Sequence, residues 1–306
     1  MTVRLLVFGA LFVPLVLGVC VEERHSLGEA VPDTLGQVQF QNATALALDP
    51  RGQLYVADAG RDAVVLLSSE GGTQAVLGGS GTRAGQFLGP ADVDPTNGQT
   101  LYVADAGNGR LQRFSEELQY LEALPVGRAF EEGRALRAFD DGRDGSSVQG
   151  SGRPIAVGSS PGDHTFAIDE EAGVVLKWDE QRRPERIIGG AVQRRGRLLR
   201  PVALALEGSR RLYVADRGRE EVLVYDRFGT FIQTLALSPL PDVRALTFRR
   251  GRLWIVCPQR VFIWNPETRQ ATEHAVALPS PLVDVAPSAD GVYLLTATRL
   301  WKRPAL

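Results

Sequence analysis

The chain has 306 residues, 44% of them hydrophobic and 23% charged, with a formal net charge of −2, which supplies a core for two ordinary domains or one large all-β unit. The missing basic excess argues against a dedicated nucleic-acid binder, because phosphate contacts demand one. Two cysteines, Cys20 and Cys257, make neither a disulfide framework nor a zinc-ligand spacing.

Residues 1–20 read as an export signal. Arg4 precedes an apolar run from Leu5 to Cys20, "LLVFGALFVPLVLGVC", interrupted by Pro14. The run falls short of the roughly 20 residues a spanning helix needs and has the charged start and apolar middle of a signal. Cys20 stands where a bacterial lipoprotein signal places its lipidated cysteine, but Val19 fills a place that wants Gly, Ala or Ser. The residues leave open a lipid anchor on Cys20, ordinary secretion and retention as an uncleaved anchor. The expected location is periplasmic, membrane-anchored or secreted.

Residues 21–306 read as one array of repeats. Tyr55, Tyr102, Phe166, Tyr213, Trp254 and Tyr293 occupy one local context, "LYVAD" in its clearest form, at intervals of 47, 64, 47, 41 and 39 residues. Each unit opens with a short run ("ATALALDP", "PADVDP", "PIAVGS", "PVALALE", "VRALTF", "LVDVAP"). A turn leads to the aromatic strand, another to a third run such as "AVVLL" or "EVLVY", and a fourth run follows, clearest in "TQAVLGG" and "FIQTLAL". Short β-rich runs punctuated by Gly, Pro, Asn and Asp are antiparallel strands joined by turns. Four strands per unit near a 40-residue period predict propeller blades. The aromatic alternates with the Val near the strand end and is expected to wedge against the neighbouring blade.

The position closing that strand reads Asp58, Asp105, Asp169 and Asp216, then Cys257 and Thr296. A short carboxylate there can accept N–H groups two residues on and hold the turn, so the recurring acid is structural. Cys257 lies in "LWIVCPQ" and reads as a buried, inert thiol. Residues 127–152, "GRAFEEGRALRAFDDGRDGSSVQGSG", form an insertion between units two and three, half helix-compatible and half Gly/Ser-rich. The sixth unit ends without room for a fourth strand. The segment "EERHSLGEAVPDTLGQVQF" is expected to supply the outer strand of that last blade, in either of two registers, and so to cover a sheet edge.

"YVADAGNGRLQRF", with Asn108 and Arg110, and "VLGGSGTRAGQFLGPADVD", Val76 to Asp94, resemble the core and the inter-blade linker of NHL repeats. The resemblance runs from Val38 to about Trp301 and weakens in units five and six. It implies an all-β, six-bladed propeller used mainly as a binding scaffold and less often as an enzyme.

"GSSPG", Gly158 to Gly162, matches G-x-S-x-G, but it lies in a strand-to-strand turn rather than the strand–turn–helix a nucleophile elbow needs. His25, His164 and His274 fall at different radial positions and are not expected to converge on zinc as they do in NHL-like lyases. Aligning the innermost strands puts Ala47, Asp92, Ala156, Ala205, Thr247 and Asp284 at one position. Asp92 and Asp284 could therefore flank calcium or another divalent cation in the channel, although the six to eight oxygens calcium wants are not evident. Three residues past the strand end stand Arg61, Arg219, Arg260 and Arg299, and the linker into unit four adds Arg194, Arg195, Arg197 and Arg200. These turns and linkers should share one rim, where arginines either recruit an anionic partner or pair with Asp62, Glu220 and Glu221. The expectation is a monomeric, non-enzymatic scaffold with no catalytic residue and no cofactor, binding a protein or anionic envelope component and no nucleic acid. The alternative is a metal-dependent hydrolase or lyase at the channel.

Overall fold

The computed structural model describes residues 24–26, 33–35, 38–127, 151–191, 193–237, 240 and 242–304. Residues 1–20, read above as an export signal and containing Cys20, and nearly all of the 127–152 insertion lie outside them.

Two short strands, β1 (Arg24–Ser26) and β2 (Asp33–Thr34), precede five four-strand meanders and a final one of three strands. Blade one holds β3 (Ala43–Leu48), β4 (Leu54–Asp58), β5 (Ala63–Leu67) and β6 (Thr73–Gly78). Blade two holds β7 (Pro90–Asp94), β8 (Thr100–Asp105), β9 (Arg110–Ser115) and β10 (Tyr120–Pro125). Blade three holds β11 (Pro154–Ser159), β12 (Thr165–Asp169), β13 (Val174–Trp178) and β14 (Pro184–Ile188). Blade four holds β15 (Pro201–Glu207), β16 (Arg211–Asp216), β17 (Glu221–Asp226) and β18 (Phe231–Thr234). Blade five holds β19 (Ala245–Arg249), β20 (Arg252–Cys257), β21 (Arg260–Asn265) and β22 (Gln270–Ala275). Blade six has β23 (Leu282–Pro287), β24 (Gly291–Thr296) and β25 (Leu300–Pro304).

β2 completes blade six, pairing antiparallel with β25 through Asp33 opposite Lys302 and Thr34 opposite Trp301. The beginning of the array is thereby stitched to its end, as expected. β1 was not anticipated: it adds a fifth strand to blade five, parallel to β22. Together the two strands form a strap across the outer edges of the last two blades.

Among the described residues the core divides into six clusters, one in each gap between adjacent blades. The recurring aromatic explains the division. Tyr55 packs into the gap between blades one and two, Tyr102 between two and three, and Phe166 between three and four. Tyr213, Trp254 and Tyr293 do the same onward, the last closing blade six onto blade one. Tyr213 stacks on Phe248 of the next blade at 5.8 Å with rings 7° from parallel. Burying so large an apolar body at each gap holds the ring together.

The meander topology sets two rims. The inner strand of each blade starts at the rim that carries the inter-blade linkers and the second turn, called here the linker rim. It ends at the rim that carries the first and third turns, the hairpin rim.

Candidate functional site

The recurring Asp does more than hold its own turn. Asp169 and Asp216 do accept N–H groups two residues on, from Glu171 and Gly218. The common partner, however, is the linker entering the same blade. Asp58 accepts from Gln41 and Asn42, Asp105 from Leu88, Asp169 from Arg153, and Asp216 from Leu199 and Arg200. Each carboxylate satisfies amides just before an inner strand begins, which ties the second turn to the linker. Thr296 does a local version in blade six, bonding to both the N–H and the carbonyl of Arg299.

Blade two elaborates this clamp into a buried network. Asp105 Oδ2 accepts from Asn108 Nδ2, Arg110 Nε and Gln112 Nε2 at 2.8, 2.8 and 3.0 Å. Arg110 Nη2 reaches the carbonyls of Arg83 and Gln86 at 2.9 and 3.0 Å, so the guanidinium fork fastens the linker. Burial raises the Asp105 pKa against the opposing pull of these donors. The residues that carried the family resemblance in this blade are thus structural. Gly78, at φ 112°, faces the Phe87 ring and the Asp62 carbonyl so closely that a Cβ would not fit.

The structure sorts the predicted arginines. Arg61 lies 3.5 Å from Asp58 and donates to the Gln39 carbonyl; Arg219 pairs with Glu221 at 2.9 Å and Arg260 with Glu273 at 3.3 Å. Arg194, Arg195, Arg197, Arg200 and Arg299 are exposed and, among the described residues, form no ion pair. The first four stand on the linker into blade four, around Leu199, which is 56% exposed; Leu88 holds the matching linker position in blade two at 43%. Arg219 Nη1 also reaches the Arg197 carbonyl. The linker rim therefore concentrates unpaired cations on blade four beside an exposed apolar side chain.

The channel opens on the other face. A cavity of about 490 Å³ is lined by inner strands, Arg249 at the end of β19 among them, and by first-turn residues such as Thr96, Asn97, Pro161 and Gly208, and by no residue of the linker rim. Strand pairing corrects the inner-strand alignment. Asp92 opposes Ala104, and the equivalents are Ala45, Ala156, Ala203, Ala245 and Asp284. Ala47, Ala205 and Thr247 lie two residues further along, level with Asp94, because the first turns differ in length.

Asp92 Oδ1 accepts from Val93 N–H and its Oδ2 from Val157 N–H in the next blade, both at 2.8 Å. Asp284 does the same for Val285 and Leu46, at 2.7 and 2.9 Å. Asp94, which the sequence reading passed over, accepts from Ser159 N–H and Oγ across the same gap and from Thr96. These acids cover the free edges of neighbouring inner strands. Burial raises all three pKa values, Asp284 to about 7 and Asp92 well above the usual carboxylate range, despite the amide donors. As cation ligands Asp92 and Asp284 fit poorly, since every oxygen already faces an amide. Among the described residues no three His, Cys, Asp or Glu side chains gather as a metal set.

The remaining candidates resolve as follows. "GSSPG" forms the end of β11 and its turn, with Ser159 bound to Asp94 and Ser160 Oγ accepting from His164 N–H. Cys257 is a buried free thiol whose pKa burial raises to about 11, as expected of an inert side chain. The histidines depart from expectation in one respect. β1 pairs with β22 so that His25 stands opposite His274, two positions brought together by a strap the repeat pattern does not contain. His164 lies apart, in blade three.

No family model matches the chain, and no curated protein matches it in sequence. Solved structures do match its shape. A virginiamycin B lyase from Staphylococcus aureus is 9% identical with a TM-score of 0.57, over 90% of this chain and 87% of that one. A streptogramin B lyase is 8% identical at 0.58, over 89% and 96%; a chain of a nidogen/laminin complex is 14% identical at 0.60, over 80% and 84%. At such identities the likeness is one of fold, the six-bladed propeller. That fold serves both a lyase and a chain of a protein–protein complex.

Proposed function

We propose that this chain is an exported, non-enzymatic recognition scaffold, an NHL-like propeller that captures an acidic protein surface or another anionic envelope component through its linker rim. The observation that carries the reading is the group Arg194, Arg195, Arg197 and Arg200 around Leu199, exposed and without ion pairs among the described residues. Unpaired guanidiniums can spend their fork geometry on a partner's carboxylates or phosphates, and an adjoining apolar side chain can fill a pocket. Arg61, Arg219, Arg260 and Arg299 extend the rim around the ring. Attachment to a membrane would come through a lipidated Cys20, and the scaffold acts as a monomer.

Reversing Arg194, Arg195, Arg197 and Arg200 to Glu should abolish salt-sensitive retention of envelope components and of an immobilised polyglutamate probe, with the unfolding midpoint unchanged. Equal retention by the folded variant would refute the assignment. The rival reading, hydrolase or lyase chemistry in the channel, draws on the buried acids. Stoichiometric metal in the purified protein, lost on Asp92→Ala or Asp284→Ala, would establish that reading instead.

A further inference from the structure

The six blades present one inner-strand amide each at the same register: Leu46, Val93, Val157, Leu204, Leu246 and Val285 oppose the same position of their second strands. Four of the six are served in pairs. Asp92 bridges the amides of blades two and three, and Asp284 those of blades six and one. The third pair, in blades four and five, has no such bridge. Ala203 stands at the position of Asp92 and Asp284, and no side chain among the described residues accepts from Leu204 or Leu246 N–H. Both residues line the 490 Å³ cavity. The ring thus alternates aspartate, alanine, aspartate at blades two, four and six, and the alanine leaves a gap with the donor geometry of a carboxylate site.

A second observation points the same way. Arg249, at the end of the strand that carries Leu246, lines the same cavity and reaches across its mouth to the carbonyls of Leu48 and Asp49 at 2.6 and 3.1 Å. It has no ion pair among the described residues. A guanidinium held by two carbonyls, near the Asp49 carboxylate, and two unserved amides border one cavity.

We propose that this gap binds the carboxylate of a small organic acid, whose two oxygens accept from Leu204 and Leu246 N–H while the rest of the molecule occupies the channel cavity. Neighbouring acids oppose an anion: Asp92, Asp94, Asp163 and Asp284 line the cavity beside Arg249. Burial holds Asp284 at about 7 and raises Asp92 and Asp94, so mildly acidic solution lessens the repulsion. The inference is independent of the linker rim, which is on the opposite face.

The test is an amide chemical-shift titration of the ¹⁵N-labelled full chain with lactate and with acetate at mildly acidic pH, against lactamide as the neutral control. Saturable shifts of Leu204 and Leu246, with lactamide inert, are expected; the bridged amides of Val93 and Val285 should move least. Ala203→Asp places a carboxylate on the chain itself at the gap and should weaken lactate binding at least tenfold. Absent or non-saturating shifts, equal shifts with lactamide, or undiminished binding by folded Ala203→Asp would overturn the proposal. Should that variant not fold, the wild-type titration decides alone.

Discussion

Replacing Arg110 with Ala would open the most deeply buried charge network among the described residues. Arg110 and Asp105 have side chains 1% and 0% exposed and meet at 2.8 Å. The truncation removes that bond and strands Asp105, whose pKa burial already raises. It also leaves the carbonyls of Arg83 and Gln86 without the guanidinium. Breaking a buried pair by deleting one partner costs about 3–5 kcal/mol, mostly the desolvated charge left behind. The Asn108 and Gln112 donors remain and hold the cost near the lower end. At about 2–4 °C per kcal/mol for a domain of this order, the melting temperature should fall by roughly 10 °C. Arg110→Lys should recover less than half, because an ammonium cannot serve the carboxylate and two carbonyls in one plane. Calorimetry on wild type and both variants, with hydrogen exchange over residues 79–89, measures the effect and its location. A loss under about 1 kcal/mol, or full rescue by Lys, would refute the network as the fastener of the blade-two linker.

Asp284 should make stability depend on pH. Its folded pKa of about 7 lies above the unfolded value of 3.8, so its contribution is whole below the unfolded value and is lost as pH rises through 7. Wild type should lose on the order of 2 kcal/mol relative to Asp284→Ala between pH 5 and pH 8, read from urea midpoints; parallel curves would contradict the raised pKa. Leu35→Ala should cost about 2–4 kcal/mol by cavity formation, since the Leu35 side chain is buried where blade six meets blade one, while its backbone N–H bond to the Leu300 carbonyl is kept. Ile232→Ala, on a 49% exposed side chain, should stay within about 0.5 kcal/mol, and equal losses would remove the strap from the account of ring closure.

Much of the fold was legible in the chain because a blade is a local object. Its strands are neighbours in sequence, its turns carry Gly and Asp, and the aromatic at one fixed place in each unit marks the face that meets the next blade. The period therefore announced six blades, and the short last unit announced a borrowed strand. The arginine positions were readable too, but not their state. Whether Arg61 or Arg219 is paired depends on rotamers and neighbours, while the linker arginines form no ion pair among the described residues. The parallel β1 and the register that sets position 25 opposite His274 follow from where the strap lies, which no repeat encodes.

The channel was decided by tertiary structure alone. Asp284 serves an amide 238 positions away, at Leu46, because closure sets the first blade beside the sixth. Asp92 bridges 65 positions to Val157. Aligning the inner strands named the two acids, but not that each serves an amide of its own blade and one of the next. Inner-strand edges point unpaired N–H groups at the axis, and such groups call for acceptors. Only the assembled ring shows which of those amides the chain satisfies and which it leaves open.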